Sequence, residues 1–359
     1  MTHLQAFQRA LSGKAEAALI SSPQNIFYLS LFDFSDGYLL ILPDAAYLIT
    51  DFRYEEAARA GVAEGFEVIS PETGVISGVF EKMKAHRATT LWVEEDAITL
   101  AARDRLHAHL DGVELLGGAG EALAHLRERK DKAELAAMSA AQELTDAAFT
   151  HILDYISPTR TERDVALELE FFMRRNGADG IAFDTIAVSG SASSLPHGVP
   201  RDHLLEKGFL TMDFGARFGG YCADMTRTVV IGHADEEMKH LYRTVLQAQK
   251  AALALAAGGI PCRDMDKVAR DIIHNAGYAG CFGHSLGHGV GLDVHEAPRL
   301  SAKAAEGSIL LPGHVVTVEP GIYIVGKYGC RIEDMIAVNE DGSIQNFTNS
   351  PKELIELCR

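Results

Sequence analysis

The rhythm of apolar positions changes near residue 120 of this 359-residue chain. Before that point, short apolar runs alternate with stretches of helical period. Leu4, Phe7 and Leu11 share a helical face that Gly13 closes. Strands are expected at 17–20, 66–69, 91–93 and 113–116, with a hairpin at 38–42 and 47–50 around Pro43-Asp44. Helical text falls between them at 53–60, 75–86 and 100–110. This alternation predicts an α/β domain with helices layered on a mixed sheet. Asp51, Arg53 and Tyr54 read as a solvated corner between a strand and a helix.

The run Gly117-Gly118-Ala119-Gly120 marks a domain boundary, giving 1–122 and 123–359. Beyond it Leu135, Met138, Leu144, Phe149, Ile152 and Ile156 keep helical spacing until Ser157-Pro158 stops them. Thr161-Glu162-Arg163-Asp164 resembles a capping box, opening a helix that ends at Asn176-Gly177. A strand at 181–188 leads into a Gly/Ser loop carrying His197, and helices follow at 236–257 and 263–275. The last third is strand-rich, at 315–319, 322–325 and 331–338, and no tandem repeat is visible. The second domain is therefore expected to be α+β, with helices on one face of an antiparallel sheet.

At its centre stands GFLTMDFGARFGGYCADMTRTVV, residues 208–230. It predicts a hairpin, and a turn at Phe218-Gly219 puts Asp213 directly opposite Asp224. Opposed residues stand about 4.5–5.5 Å apart on one face. Two carboxylates that close on an apolar hairpin repel each other and lose solvation unless a positive group lies between them. GHSLGHGVGLDVHE adds His284, His288 and His295, and two apolar strands carry Glu319 and Glu333. A single strand-end glutamate is ordinarily just solvated. Asp213, Asp224, Glu319 and Glu333 together would neutralise two divalent ions, with His288 as a neutral ligand. Five side chains cannot fill two separate shells, so some carboxylates must bridge, drawing the ions to about 3.5–4 Å. Oxygen-dominated ligation with one nitrogen favours Mn²⁺ or Co²⁺, with Zn²⁺ still admitted.

Composition narrows the setting. A formal net charge of −17 disfavours nucleic acid and anionic membrane as partners. No apolar run approaches the roughly 18 residues of a membrane span, and the N-terminus lacks the pattern of a signal peptide. Five scattered cysteines without CxxC read as reduced thiols, which suits a cytoplasmic protein.

MDFGARFGGYCADMTRT, GHSLGHGVGLDVHE, VTVEPGIY and CRIEDM resemble the signature blocks of the pita-bread metallopeptidases, most closely their Xaa-Pro branch of prolidase and aminopeptidase P. FDTIAVSGSASSLPHG and PKELIEL also fit, so the resemblance spans the second domain. It implies a creatinase-like α/β N-terminal domain followed by an α+β catalytic domain of pita-bread fold. It places the five metal ligands on Asp213, Asp224, His288, Glu319 and Glu333, with Glu319 also handling the proton. It places substrate-side histidines on His197, His284 and His295, and an active-site arginine on Arg331. The implied reaction is hydrolysis of the bond preceding proline, with a dipeptide as the expected substrate and longer Xaa-Pro peptides as the alternative. The implied assembly is a homodimer. Ser285 stands where glycine is common and Cys330 where an apolar β-branched residue is common, and Cys330 reads as a small buried thiol.

Two competing readings are weaker. Residues 283–287 spell G-x-S-x-G, but a nucleophile elbow needs a strand before it and a helix after it. The nearby glycines likewise lack the strand and acidic partner of a dinucleotide site. A binding module on this fold would have lost ligand positions, and all five are present.

Overall fold

The structure is a computed structural model that describes residues 1–358. The chain divides into two compact units, Met1–Arg127 and Glu128–Arg359. The division falls beyond the glycine run because Gly117-Gly118-Ala119-Gly120 does not form a linker. It leads into the helix Ala119–Glu128, whose first amides are capped by Glu95, at 2.7 Å from the Gly118 N–H.

The first unit is built on a six-stranded mixed sheet. Its order is Glu67–Ile69, Ala46–Thr50, Gly37–Ile41, Ala17–Ile20, Thr90–Val93 and Glu114–Gly117. Leu19, Leu40, Ile49, Leu91, Val79 and Leu106 form the core between this sheet and its helices. The helix Pro23–Ser30 escapes the apolar pattern because its buried face is partly polar. The buried Glu94 carboxylate accepts from the Ser22 N–H at 2.9 Å and the Asn25 amide at 2.7 Å, which anchors that helix start. Asp51 caps the helix Phe52–Gly61 and pairs with exposed Arg53, so this corner is a solvated cap.

The second unit has two halves of similar construction. In the first, the helices Lys132–Tyr155 and Glu162–Arg175 cover a sheet ordered Glu356–Leu357, Met225–Ile231, Gly208–Phe214 and Ile186–Ser189. In the second, Glu236–Leu255 and Cys262–Ile273 cover Glu296–Leu300, Gly287–Gly289, Val315–Val318, Asp334–Val338 and Ile344–Asn346. The long helices break with the same backbone angles, φ −59° and ψ 124°, at Ile156 and at Ala256. Thr161 and Pro261, which precede the shorter helices, each make an isolated bridge, to Leu204 and Ile309. The repeat is spatial: the two helix pairs share geometry rather than residues.

The central hairpin differs in register from the expectation. Its turn is Gly219-Gly220, with φ 57° and 82°, the left-handed pair that a tight two-residue turn requires. Arg217 therefore pairs with Cys222, and Asp213 opposes Thr226 rather than Asp224. A slip of two residues leaves side-chain alternation intact. Leu210, Met212 and Phe214 still enter the helix-side core, while Asp213 takes the opposite face. The strand expected at 331–338 is two strands. Tyr328–Arg331 pairs with Gly321–Ile324, and Asp334–Val338 pairs with Val315–Val318, so Glu333 sits where the chain crosses between them. The segment expected as one strand at 181–188 is likewise split into Gly180–Ile181 and Ile186–Ser189.

Arg227 locks this crossing. It is 1% exposed and donates to the carbonyls of Glu333, Ser350 and Pro351 and to the Asp334 carboxylate at 2.9 Å. Removing one partner of a buried charge pair leaves the other uncompensated, at a cost of about 3–5 kcal/mol. Arg227→Met is expected to lower the unfolding free energy by about that amount in urea titrations. Arg243→Met, at an exposed pair with Glu236, should cost less than about 1 kcal/mol.

Candidate active site

Nine side chains singled out in the sequence line one cavity of about 250 Å³: His197, Asp213, Asp224, His284, His288, His295, Glu319, Arg331 and Glu333. Strand ends supply most of them. Asp213 is the penultimate residue of Gly208–Phe214, and Asp224 immediately precedes Met225–Ile231. His288 is the middle of Gly287–Gly289, and Glu319 follows Val315–Val318. The glycines beside His288 are sterically required. A Cβ on Gly287 would lie 2.0 Å from the Thr317 carbonyl oxygen, and one on Gly289 would lie 2.1 Å from that of Ala297. His197 follows the 3₁₀ turn Gly190–Ser194, and His295 sits exposed just before Glu296–Leu300.

The donor set is poised for a cation. One ligand atom each of Asp224, His288 and Glu333 lies within 4.8 Å of the others, and all three residues are buried. His288 Nδ1 is 3.0 Å from the Gly289 carbonyl oxygen, so it carries the proton and Nε2 presents a lone pair. That lone pair faces carboxylate oxygens of Glu319 at 3.4 Å and Asp224 at 3.6 Å. Three electron-rich atoms at these distances repel one another unless a positive ion sits among them. Asp213 Oδ1 is buried and without a hydrogen-bond partner, a second acceptor left for an ion. Oxygen donors with a single imidazole therefore fit divalent metal at this position.

The pKa shifts have the same origin. Burial first, then Glu333, Asp213 and Glu319, hold the Asp224 carboxyl well above its usual range. Burial followed by Glu319 and Asp213 does the same to Glu333. Burial raises Glu319 to about 8, against the opposing pull of Arg331. Burial also lowers His284 and His288, each to about 4, so both rings are neutral near pH 7.

Arg331 is fully engaged by the protein. It donates to Asp213 Oδ2 at 2.5 Å, the Thr226 hydroxyl at 2.8 Å, the Tyr323 hydroxyl at 2.7 Å and the Pro196 carbonyl at 3.3 Å. Thr226 in turn donates to Glu333 at 2.6 Å. Tyr323 passes the chain on to His284 Nε2 at 3.0 Å, and His284 Nδ1 donates to the Ser285 carbonyl at 2.8 Å. Thr226 and Tyr323 are absent from the sequence reading because a lone hydroxyl in an apolar strand carries no pattern.

Arg299, which also lines the cavity, was likewise missed. It is exposed and has no carboxylate within ion-pair range among the described residues. Its only sequence signal is its place four residues after His295. Phe183, Ile186 and Val294 give the cavity an apolar wall.

Ser285 has no elbow around it. A helical turn at His274–Tyr278 precedes it and the strand Gly287–Gly289 follows. Cys330 is buried beside Arg331, and burial pushes its thiol up to about 12, so it is an inert packing group.

Comparison with known proteins matches residues 136–340 to metallopeptidase family M24 and residues 3–129 to the creatinase/prolidase N-terminal domain. The chain belongs to metallopeptidase family M24. This M24 chain is 36% identical to a Xaa-Pro dipeptidase of Pyrococcus horikoshii, over 95% of its own length and 94% of that protein. Among solved structures it superposes on the Xaa-Pro dipeptidase from Bacillus anthracis with a TM-score of 0.93 and 39% identity, covering 98% of each chain. An X-Pro aminopeptidase from Thermotoga maritima gives a TM-score of 0.90 and 36% identity, covering 97% of this chain and 99% of that one. The pita-bread architecture and the peptidase class follow from these matches. Among the described residues no helix is long and apolar enough to cross a membrane.

The raised carboxyl values link stability to pH. In the metal-free protein Glu319 keeps a proton up to about pH 8 that the unfolded chain has lost by about pH 4.5. Its contribution is thus fully present below the unfolded value and is lost as pH rises through about 8. Asp224 and Glu333 act in the same sense. His284 and His288 act oppositely, but only below about 6.5, as pH falls towards 4. The thermal midpoint of chelator-treated protein should therefore fall as pH rises from 6.5 to about 8. Glu319→Gln should flatten that fall in differential scanning calorimetry.

Proposed function

We propose that this chain is a di-metal Xaa-Pro dipeptidase, hydrolysing the peptide bond that precedes a C-terminal proline. The observation that carries the reading is the His288 Nε2 lone pair aimed at Asp224 and Glu319 oxygens inside a cluster of four carboxylates. Asp213, Asp224, His288, Glu319 and Glu333 would hold two divalent cations, Mn²⁺ or Co²⁺ ahead of Zn²⁺. Such a pair supplies a water acidified towards neutral pH and polarises the scissile carbonyl.

The chain's own residues do the rest. Glu319 takes the proton of the attacking water and delivers it to the departing proline nitrogen, which becomes a secondary amine. A bond before proline has no N–H to bind, so recognition rests on the free amino end, the carbonyl oxygen and the pyrrolidine ring. His197 and His295 line the cavity on the substrate side and donate to the carbonyl oxygen as it gains charge. His284 is kept neutral by burial and by the nearby Arg331 charge, while its bonds to Tyr323 and Ser285 fix its ring beside Glu319. Arg331 positions Asp213 directly and Glu333 through Thr226, leaving the substrate carboxylate to another cation.

Arg299 is that cation. An exposed guanidinium at the cavity, free of acidic partners among the described residues, suits the C-terminal carboxylate of a dipeptide. A cavity of about 250 Å³ lies below the roughly 300–1,000 Å³ of drug-sized ligand sites, which suits a small substrate. Aminopeptidase P activity on longer peptides is the second reading, favoured by the likeness to the Thermotoga maritima X-Pro aminopeptidase. Cys222, Cys262, Cys281, Cys330 and Cys358, scattered and joined in no CxxC, support a reducing, cytoplasmic setting, and a homodimer is the assembly we assign.

Hydrolysis of a Xaa-Pro dipeptide and a Xaa-Pro-Yaa-Yaa peptide, each with Mn²⁺, Co²⁺ or Zn²⁺, decides between the two substrates. The dipeptide should turn over faster, with Mn²⁺ or Co²⁺ best. Glu319→Gln should lower kcat by about 10²–10⁴-fold, and near-normal turnover would refute its proton-handling role. Arg299→Ala should raise KM for the dipeptide by roughly tenfold and leave the longer peptide little changed, as loss of a charge-assisted contact predicts. An equal effect on both peptides would remove the carboxylate role.

A further inference from the structure

A second group of metal-ligating side chains lies on the surface, where the strand Met225–Ile231 runs parallel to Glu356–Leu357. The pairing Ile231↔Leu357 and the Gly232 N–H bond to the Leu357 carbonyl at 2.9 Å fix the two backbones side by side. His233 and Cys358 follow the two strands, and Glu356 precedes Leu357. All three are exposed. Glu356 Oε2 lies 3.2 Å from His233 Nδ1, and Cys358 Sγ lies beside the same ring, 3.5 Å from Nδ1 and 3.7 Å from Nε2, and 3.5 Å from the Gly232 carbonyl. The other Glu356 oxygen accepts from the Ala234 N–H at 2.9 Å, which sets the carboxylate's orientation independently of the histidine.

These separations have a meaning beyond hydrogen bonding. A tetrahedral zinc with ordinary bond lengths of about 2.3 Å to sulfur and 2.0–2.2 Å to nitrogen and oxygen places N and O about 3.3 Å apart and S and N about 3.5 Å apart. The Glu356–His233 separation already matches one edge of that tetrahedron, and the three donors lie within 4.8 Å of one another on backbone held by a sheet. Its donors are a thiol, an imidazole and a carboxylate, each a zinc ligand of different softness.

We propose that His233, Glu356 and Cys358 form a surface site for one thiophilic divalent cation of the zinc type, with water as its fourth ligand. Binding converts the Cys358 thiol to a thiolate and releases that proton to solvent. The site differs in chemistry from the buried cluster, whose donors are oxygens and one nitrogen. It therefore prefers a different metal and does not depend on the peptidase reading.

The test uses the full chain, freed of any affinity tag, stripped with chelator and titrated with Co²⁺ as the probe. Only a sulfur ligand gives thiolate-to-cobalt charge-transfer absorption in the near ultraviolet, so the signal reports this site and not the buried one. It should appear in the parent protein, vanish in Cys358→Ser and persist in Asp224→Asn. His233→Ala should weaken the apparent affinity at least tenfold. Reloading with Zn²⁺ should retain one more equivalent per chain in the parent than in Cys358→Ser. Absence of the absorption in the parent protein, or its survival in Cys358→Ser, would overturn the proposal.

Discussion

Four carboxylates around one cavity, Asp224 and Glu333 buried and Asp213 and Glu319 half-buried, are the constraint from which the rest of the second unit follows. Asp213, Asp224, Glu319 and Glu333 repel one another, and withdrawal from water adds to the cost of charging them. One guanidinium, Arg331, lies among them, and its charge survives burial because tyrosine and carboxylate oxygens surround it. A single cation cannot balance four anions, so the metal-free cluster holds protons that divalent ions must displace. The hydroxyls of Thr226, Thr317 and Tyr323 steer side chains within this field without adding charge.

The surrounding fold serves that cluster. Glycines at 287 and 289 allow the His288 strand to lie against its neighbours more closely than any side chain would permit. Arg227, on the strand that Asp224 introduces, ties the Glu333 carbonyl to the closing segment at Ser350 and Pro351. Both devices place rigid backbone behind a proposed ligand, as a metal site demands of its scaffold.

Much of this was legible in the residues. The positions proposed as ligands each stand in a flanking motif of their own, and the helix cap at Thr161 is local chemistry. The register of the central hairpin was not legible, since a slip of two residues preserves every apolar position and only the left-handed pair Gly219-Gly220 decides it. The break at Glu333 was hidden for a related reason: an apolar run does not record a change of pairing partner. Arg299 and Tyr323 act as isolated side chains brought in by tertiary contact, and nothing in their neighbours advertises them. The helix Pro23–Ser30 depends on Glu94, nearly seventy positions away.

The two-halved construction of the second unit has a consequence for how activity is gained and lost. Asp213 and Asp224 belong to the half covered by the first helix pair, whereas His288, Glu319 and Glu333 belong to the half covered by the second. Neither half carries enough donors to retain ions by itself. On the ligand set proposed above, metal uptake is a logical AND over two separately packed cores: it certifies that both halves have been completed.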